Sequence, residues 1–258
     1  MGKIEKQMQE LNAYLKEATR ISLAETEELL GVSESTARRM FARMEAQSRA
    51  IRIHGGLQLL PEAKPEYNYP SMEARRIPQK KRIGRAAVEC IGDARTLFLD
   101  SGSTMYQFSL CLAEWLRAGR KDMVSVFTNS LKNLQALSGL VNIQFIGGKY
   151  REHRQDCCGF LAEGALQGLN FDLCFLGGDG CTVDQGISCT DMETARLGQI
   201  AVSRSQKKVV LLDSTKFQRG ALVSYARLEE LDMVLSDTEL DPEIAKQIRA
   251  KGPDVRLV

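Results

Sequence analysis

Five short segments of the chain are rich in glycine and in small polar residues that can bind an anion. The first segment, residues 100–104, has the sequence Asp-Ser-Gly-Ser-Thr and leads directly into a stretch with helical periodicity. Backbone amides and hydroxyls at a helix N-terminus favour a phosphate, because the positive end of the helix dipole lies there. The other four segments span residues 128–130, 147–149, 177–180 and 213–216.

Each of these segments follows an apolar run that is typical of a buried strand. The runs lack the polar alternation of half-exposed strands, and they span residues 96–99, 124–128, 141–146, 171–176, 209–212, 233–235 and 255–258. Helices are predicted between most of them, notably over 104–117, 160–169 and 191–205. The pattern predicts an α/β domain with a mainly parallel sheet over residues 79–258. Ligands bind beyond the C-terminal strand ends of such sheets, so the five segments predict a pocket for a phosphorylated small molecule.

The residues predicted to bind this phosphorylated molecule, the effector, include cations, hydroxyls, carboxylates and glycines. Lys80 and Lys216 are the cations available to a phosphate, while Asp179 and Asp213 could hold sugar hydroxyls. The predicted site consists of Lys80, Asp100, Ser101, Gly102, Ser103, Thr104, Asn129, Gly148, Asp179, Gly180 and Lys216. The chain has no GxxxxGK[ST] motif, and residues 100–103 do not form GxGxxG, which argues against a nucleoside-triphosphatase and against a dinucleotide site.

A second group of functional residues lies near the N-terminus, in a segment typical of a helix-turn-helix. Gly31 can adopt the positive φ of a tight turn, and Ser33 can cap the helix that follows. That helix has an apolar stripe made of Ala37, Phe41 and Met44. Its opposite face carries hydrogen-bond donors for phosphates or base edges, namely Ser35, Thr36, Arg38, Arg39 and Arg43. An ordinary amphipathic helix with a solvated basic face is the alternative interpretation of this segment alone.

Residues 51–59 favour the first interpretation, because they indicate a two-stranded wing. Apolar residues alternate with Arg52 and His54, two glycines provide a turn, and apolar residues return at Leu57 and Leu59. Helices predicted over 3–17, 22–30 and 33–47 precede the hairpin. Three helices followed by a basic hairpin predict a winged helix-turn-helix domain, mainly α-helical, over residues 1–60.

The charge distribution indicates double-stranded DNA as the partner of this domain. The segment between residues 36 and 56 contains five arginines and only one glutamate, although the whole chain has a net charge of only +2. A concentrated basic face is the electrostatic footprint of DNA contact. The predicted DNA-binding residues are Ser33, Ser35, Thr36, Arg38, Arg39, Arg43, Arg52 and His54.

Composition limits the remaining possibilities. The 258 residues suffice for two domains, and residues 61–78, with four of the six prolines, are predicted to be a linker. The sequence has no apolar stretch long enough to span a membrane, and its N-terminus does not resemble a signal peptide for export. A cytoplasmic protein is therefore expected. The seven cysteines contain no CxxC motif and the chain has only two histidines, so we predict reduced thiols, no metal site and no cofactor.

In this order and spacing, the motifs resemble the DeoR-type repressors of bacterial sugar metabolism over nearly the whole chain. The matching segments are 32–34 with 38–39, 52–56, Lys80 with Ile83, 99–104, 128–130, 147–148, Gly159, Asp172, 177–180, Gly186 and 213–216. The resemblance implies a C-terminal domain like ribose-5-phosphate isomerase that serves as a sensor, and a sugar phosphate that relieves repression.

The sequence therefore predicts a DNA-binding transcriptional regulator of carbohydrate genes, of the repressor type. A homo-oligomer is expected, because one winged helix contacts only a few base pairs. The alternative is an aldose–ketose phosphate isomerase with a DNA-binding appendage, for which Asp100, Asp179, Asp213 and Glu193 are candidate acids and bases. No pair of these carboxylates has a spacing that specifies catalysis, so no catalytic residue is predicted. Non-specific nucleic-acid binding would leave the five polar segments unexplained.

Overall fold

The computed structural model describes residues 7, 8, 10, 11, 14, 15, 18, 20–46, 50–53, 55–59, 69–119 and 124–258. The chain divides into two compact units, Met1–Glu66 and Tyr67–Val258.

The first unit contains the predicted helix-turn-helix, formed by helices α1 (Leu23–Leu30) and α2 (Glu34–Ala46). A capping box begins α1: the amide of Glu25 donates to Ser22 Oγ over 3.1 Å, and the amide of Ser22 donates to the Glu25 carboxylate over 2.7 Å. Gly31 ends α1 with φ 59°, the left-handed conformation that the tight turn requires.

A three-stranded antiparallel sheet completes this unit, in the order β1 (Arg20–Ser22), β3 (Gly56–Leu59), β2 (Ala50–Ile53). Strands β2 and β3 are the predicted wing, with Ile53 opposite Gly56. Strand β1 was not predicted, because it has only three residues, the last of which is the helix cap Ser22, and so carries no periodic signal. The predicted first helix lies partly outside the described residues; its described members Met8, Leu11 and Leu15 are helical and join the core of this unit.

The second unit is an α/β domain. Its strands in chain order are β4 (Thr96–Leu99), β5 (Ser125–Thr128), β6 (Asn142–Phe145), β7 (Lys149–Arg151), β8 (Asp156–Cys158), β9 (Phe171–Leu176), β10 (Gly180–Thr182), β11 (Gly186–Cys189), β12 (Ser205–Leu211), β13 (Val223–Ala226), β14 (Met233–Ser236) and β15 (Asp254–Leu257). Its α-helices are α3 (Tyr69–Glu73), α4 (Ile77–Glu89), α5 (Ser103–Arg117), α6 (Leu131–Leu137), α7 (Phe160–Gln167), α8 (Met192–Ser203) and α9 (Pro242–Arg249).

Seven strands form one sheet in the order β15-β14-β12-β9-β4-β5-β6, and every neighbouring pair is parallel. These are the seven predicted strands, so the α/β fold class with a parallel sheet is confirmed. The structure adds two elements that the sequence did not predict: the hairpin β7-β8 and a small antiparallel sheet in the order β10-β11-β13. Their strands of three or four residues are too short for a periodic pattern.

Apolar layers cover both faces of the parallel sheet. Along β9, Leu173 and Phe175 pack in the layer that contains α4 and α5, while Cys174 and Leu176 pack in the layer that contains α7, α8 and α9. Successive side chains of a strand point to opposite faces, so a strand covered on both faces is apolar throughout. This arrangement explains why the strands appear in the sequence as continuous apolar runs.

Part of the predicted linker is regular structure. Its residues 61–68 lie outside the described part of the chain, but Tyr69–Glu73 forms α3, with Tyr69 only 1% exposed. Helix α4 begins at Ile77, because Pro78 lies in its first turn, where the missing amide hydrogen has no helical partner to lose. The structure therefore corrects the linker prediction from Tyr69 onward.

Gly84 is a point of very close approach between α4 and α5. A Cβ atom there would lie 2.9 Å from the backbone nitrogen and Cα of Phe108. We expect Gly84→Ala to lower the free energy of unfolding by about 1–3 kcal/mol, because the helices would have to separate. The control is Gly164→Ala in α7, where nothing lies within 4 Å, and it should raise that free energy by about 0.5–1 kcal/mol. Urea denaturation measures both; similar stabilisation by the two alanines would contradict the close contact.

Candidate functional site

Helix α2 has one buried face and one exposed basic face. Ala37, Phe41 and Met44 are 0%, 3% and 0% exposed, which confirms the predicted apolar stripe. The predicted donors on the other face are accessible: Ser35, Arg38, Arg39 and Arg43 are exposed, and Thr36 is partly exposed.

Several of these side chains contact one another at the N-terminal end of α2. Ser33 Oγ lies 3.1 Å from Ser35 Oγ and 3.2 Å from Thr36 Oγ1, so three hydroxyls cluster where a phosphate would also find the helix dipole. Arg39 donates a long 3.4 Å hydrogen bond to the Thr36 hydroxyl, a contact weak enough to exchange for a base or a phosphate. Arg38 pairs with Glu34 over 2.6 Å, within the same helix.

The wing adds one further described arginine to this candidate nucleic-acid interface. Arg52 Nε lies 3.1 Å from the Glu45 carboxylate, and both side chains are nearly half exposed. An ion pair so accessible to solvent is weak, so a DNA phosphate can compete for the guanidinium. His54 lies outside the described residues.

In the second unit, a pocket lies beyond the C-terminal ends of β4, β9 and β12. Its volume is about 510 Å³, including the solvent at its mouth. Seven of the predicted effector residues line it: Asp100, Ser101, Gly102, Ser103, Thr104, Asp179 and Lys216. Segments far apart in sequence therefore meet at one edge of the sheet, as the topology of a parallel sheet requires.

Gly102 positions the N-terminus of α5 in this pocket. Its φ of 117° is a conformation that glycine adopts readily and other residues adopt rarely. Ser103 and Thr104 follow as the first residues of the helix. The first backbone amides of a helix have no partner within it, so they are available to an anion in the pocket.

Four predicted residues do not line this pocket. Lys80 is 3% exposed, and its ammonium donates to the carbonyl oxygens of Met72 and Arg75 over 2.5 and 2.7 Å. Burial lowers the pKa of Lys80 to about 8, although nearby Asp213 raises it. Lys80 thus holds the turn between α3 and α4, and its contacts are with backbone atoms.

The other three lie in the packing around the site. The Asn129 amide donates to the carbonyl oxygen of Cys157 over 3.0 Å, which attaches β5 to the β7-β8 hairpin. A Cβ atom at Gly148 would lie 2.5 Å from the carbonyl oxygen of Cys158, and one at Gly180 would collide with the backbone of Arg219. These two glycines permit close backbone packing.

Arg154 lines the pocket and was missed by the sequence analysis. It lies in the turn of the β7-β8 hairpin, is 6% exposed, and its Nη2 lies 2.9 Å from Asp191 Oδ2 and 3.3 Å from Asp179 Oδ2. The same nitrogen donates to the Thr190 hydroxyl over 2.5 Å. The only sequence signal is the basic stretch 149–154, which follows a predicted strand end.

A buried ion pair connects this hairpin to the loop before α5. Arg151 donates to Asp156 through both Nε and Nη2, each over 2.8 Å, and the side chains are 5% and 0% exposed. Ser101 Oγ donates to Asp156 Oδ2 over 2.8 Å, and Arg151 Nη1 donates to Asp191 over 2.8 Å. The loop of residues 100–102 before α5, which we call the anion loop, is therefore held by one network to the hairpin and to the start of α8.

A buried carboxyl group lies beneath the anion loop. Asp100 accepts hydrogen bonds from the amides of Ser101, over 2.7 Å, and Gly177, over 3.2 Å. Burial raises the pKa of Asp100 to about 7 despite these bonds, which lower it. Near neutral pH the group is thus divided between its neutral and charged forms.

A winged helix-turn-helix together with a polar pocket in a separate α/β unit defines a ligand-responsive DNA-binding regulator. A model of the DeoR-like helix-turn-helix domain matches residues 8–62, and a model of the DeoR C terminal sensor domain matches residues 75–238. The chain therefore belongs to the DeoR family of transcriptional regulators.

Similar proteins have the same class of function. The lactose phosphotransferase system repressor of Lactococcus lactis is 30% identical, covering 86% of this chain and 87% of its own length. The HTH-type transcriptional regulator GlpR of Haloferax volcanii is 28% identical, covering 88% and 87%. The chain also aligns with ribose 5-phosphate isomerase from Plasmodium falciparum at 17% identity and a TM-score of 0.41, over 55% of this chain and 53% of that enzyme.

Disulfide bonds, clusters of metal ligands and membrane-spanning helices are absent from the described residues. All seven cysteines are unpaired, and six are buried. Within the described ranges, no group of three or more His, Cys, Asp or Glu side chains is arranged to hold a metal ion. Nor does any helix of that part of the chain have the length and apolar character needed to cross a bilayer.

The raised pKa of Asp100 makes stability depend on pH. The pKa of Asp100 is about 7 in the folded protein, against an ordinary value of 3.8. The preference of the folded protein for the protonated carboxyl therefore stabilises the fold fully below pH 4, and this stabilisation is lost as the pH rises through 7. We expect the free energy of unfolding of Asp100→Asn, relative to the parent, to increase between pH 4 and 7 by at most about 4 kcal/mol and to level off above pH 8. Urea denaturation across this range measures it.

Asp184→Asn, at an exposed aspartate, controls for the loss of a carboxylate. A difference between Asp100→Asn and the parent that does not change with pH would show that Asp100 is charged throughout the range.

Proposed function

We propose that this chain represses carbohydrate-metabolism genes and that a phosphorylated sugar in the pocket of the second unit controls its binding to operator DNA. The observation that carries the proposal is the pocket itself, which joins the N-terminus of α5 to two cationic side chains, Arg154 and Lys216. The relatives named as repressors support the regulatory part of the proposal.

The pocket suits a ligand with one anionic end and several hydroxyls. At the anionic end, the amides that follow Gly102 and the hydroxyls of Ser103 and Thr104 can donate to a phosphate, with Lys216 as a counter-charge. At the other end, the carboxylate of Asp179 can accept from sugar hydroxyls, and Arg154 can donate to sugar oxygens.

On the DNA side, α2 would enter the major groove. Arg39 and Arg43 would contact bases or phosphates, the Ser33, Ser35 and Thr36 hydroxyls would contact phosphate, and Arg52 of the wing would reach the flanking backbone. His54 is proposed to accompany Arg52. We expect the regulator to act as a homo-oligomer in the cytoplasm, because each winged helix covers only a few base pairs.

We further propose that the pocket binds its ligand without turning it over. An isomerase needs a carboxylate that is free to move a proton between neighbouring carbon atoms. Asp100 is buried and is held by the amides of Ser101 and Gly177, over 2.7 and 3.2 Å. Asp179 accepts from the amide and hydroxyl of Thr190, both over 2.9 Å, in addition to its ion pair with Arg154. Glu193 pairs with Lys149 over 3.2 Å, and Asp213 accepts from Thr215 over 2.5 Å. An isomerase assay on every sugar phosphate that binds tests this; turnover would favour the enzyme alternative.

The operator contact can be tested at Arg39. We expect Arg39→Ala to weaken binding to the operator selected by the parent protein by about 1–3 kcal/mol, or about 5- to 150-fold, through loss of a bidentate base contact. Fluorescence anisotropy measures the affinity. Arg85→Ala, at an exposed position of α4, removes the same charge and should leave it unchanged. Equal affinities of Arg39→Ala and the parent would remove Arg39 from the interface.

The effector site can be tested at Gly102. A thermal-shift screen of sugar phosphates identifies the ligand, and calorimetry measures its affinity. We expect Gly102→Asp to abolish ligand binding while operator binding persists without a response, because a carboxylate would occupy the phosphate position. Gly102→Ala introduces the same backbone strain without the charge and should retain weaker binding, and Lys216→Ala should have an intermediate effect. Undiminished binding by Gly102→Asp would place the phosphate elsewhere.

A further inference from the structure

Three of the most exposed apolar side chains lie at the N-termini of α7 and α8. Phe160 is 85% exposed, Leu161 70% and Met192 72%. Single exposed apolar residues are ordinary on a protein surface, but a contiguous group marks an interaction site. We call these three residues the Phe160–Met192 patch.

The ion pairs around the patch show that its residues are neighbours. Arg196 of α8 lies 3.5 Å from Glu163 of α7. Met192 is four residues before Arg196 in α8, and Phe160 is three residues before Glu163 in α7. Each apolar residue therefore lies on the same helix face as the charged residue, one turn closer to the N-terminus of its helix. A Cβ atom at Gly159 would lie 3.8 Å from both Glu193 Oε1 and Lys149 Cβ, so the residues that flank Phe160 and Met192 also meet.

We infer that the Phe160–Met192 patch is a contact surface for a second copy of this chain. Four charges surround it, in two ion pairs: Lys149 with Glu193 over 3.2 Å, and Arg196 with Glu163. The two cations and two anions cancel, so the rim selects neither an anionic partner, such as DNA, nor a basic one. A surface with balanced charges can face its own copy across a two-fold axis with opposite charges in register.

This inference rests on the proposed function, since a regulator that reads two half-sites needs two copies held together. The patch also adjoins the effector pocket. Asp191, the residue before Met192, caps α8 and pairs with Arg154, which lines the pocket. Binding of a second copy and binding of the effector therefore act on the same end of α8.

The test is the mass of the full chain in solution. Sedimentation equilibrium should give the parent a mass of at least twice the 28.7 kDa of one chain. Phe160→Ser and Met192→Ser should each raise the dissociation constant for self-association by about 10- to 100-fold, and the double variant should raise it further. Ile77→Ser is the matched control, because Ile77 is 45% exposed and begins α4, which packs on the opposite face of the parallel sheet from α7 and α8, and it should leave the mass unchanged.

Circular dichroism and the urea midpoint show whether the variants remain folded, as expected for side chains that are at least 70% exposed. A monomeric parent, or patch variants that associate as the parent does, would overturn the inference. If the patch variants associate as the parent does but the effector still changes operator binding, the interface is wrong and the proposed function is still supported. Dissociation of the patch variants, with a parent that binds neither operator nor sugar phosphate, would support the interface and contradict the function.

Discussion

The architecture of the sensor pocket depends on the buried pair formed by Arg151 and Asp156. The guanidinium and the carboxylate meet through two parallel hydrogen bonds, and both side chains are almost fully removed from solvent. A buried ion pair of this kind adds little net stability compared with apolar packing, but removal of one partner leaves an uncompensated charge. Its main effect is geometric. Ser101 and Asp191 are held to opposite sides of the same pair, so the anion loop and the start of α8 have one relative position.

Around this pair, the pocket balances opposite electrostatic demands. Two cationic side chains and a helix N-terminus attract an anion, while Asp100 lies directly beneath the loop with a raised pKa. A neutral Asp100 would not repel a phosphate at the proposed site above it. Arg154 pairs with the carboxylates of Asp179 and Asp191, and these ion pairs fix its orientation at the edge of the pocket.

The two units of the chain illustrate different ways of presenting arginine. In α2, exposed arginines either pair weakly within the helix or contact a neighbouring hydroxyl, and DNA can replace these contacts. Around the pocket, Arg151 and Arg154 are buried and are oriented by carboxylates. The same type of side chain is therefore exposed with exchangeable contacts on the candidate DNA face and buried as a fixed structural group in the second unit.

The sequence by itself determined the class of the fold and the segments that form the two candidate sites. The periodicities that indicate helices and strands are local, and so are the caps at Ser22 and Gly31. Because the topology of a parallel sheet brings its strand ends to one edge, the segments 100–104, 177–180 and 213–216 could be assigned to one pocket before any contact was known.

Only the tertiary structure decided which side chains face that pocket. Arg76 has φ 55°, without the glycine that would signal such a turn, and its ion pairs with Asp237 and Glu239 come from the far end of the chain. That turn directs Lys80 to backbone carbonyls. Arg154 reaches the pocket from a hairpin whose strands are too short to be periodic. The orientation of a polar side chain depends on partners distant in sequence, and no local pattern records them.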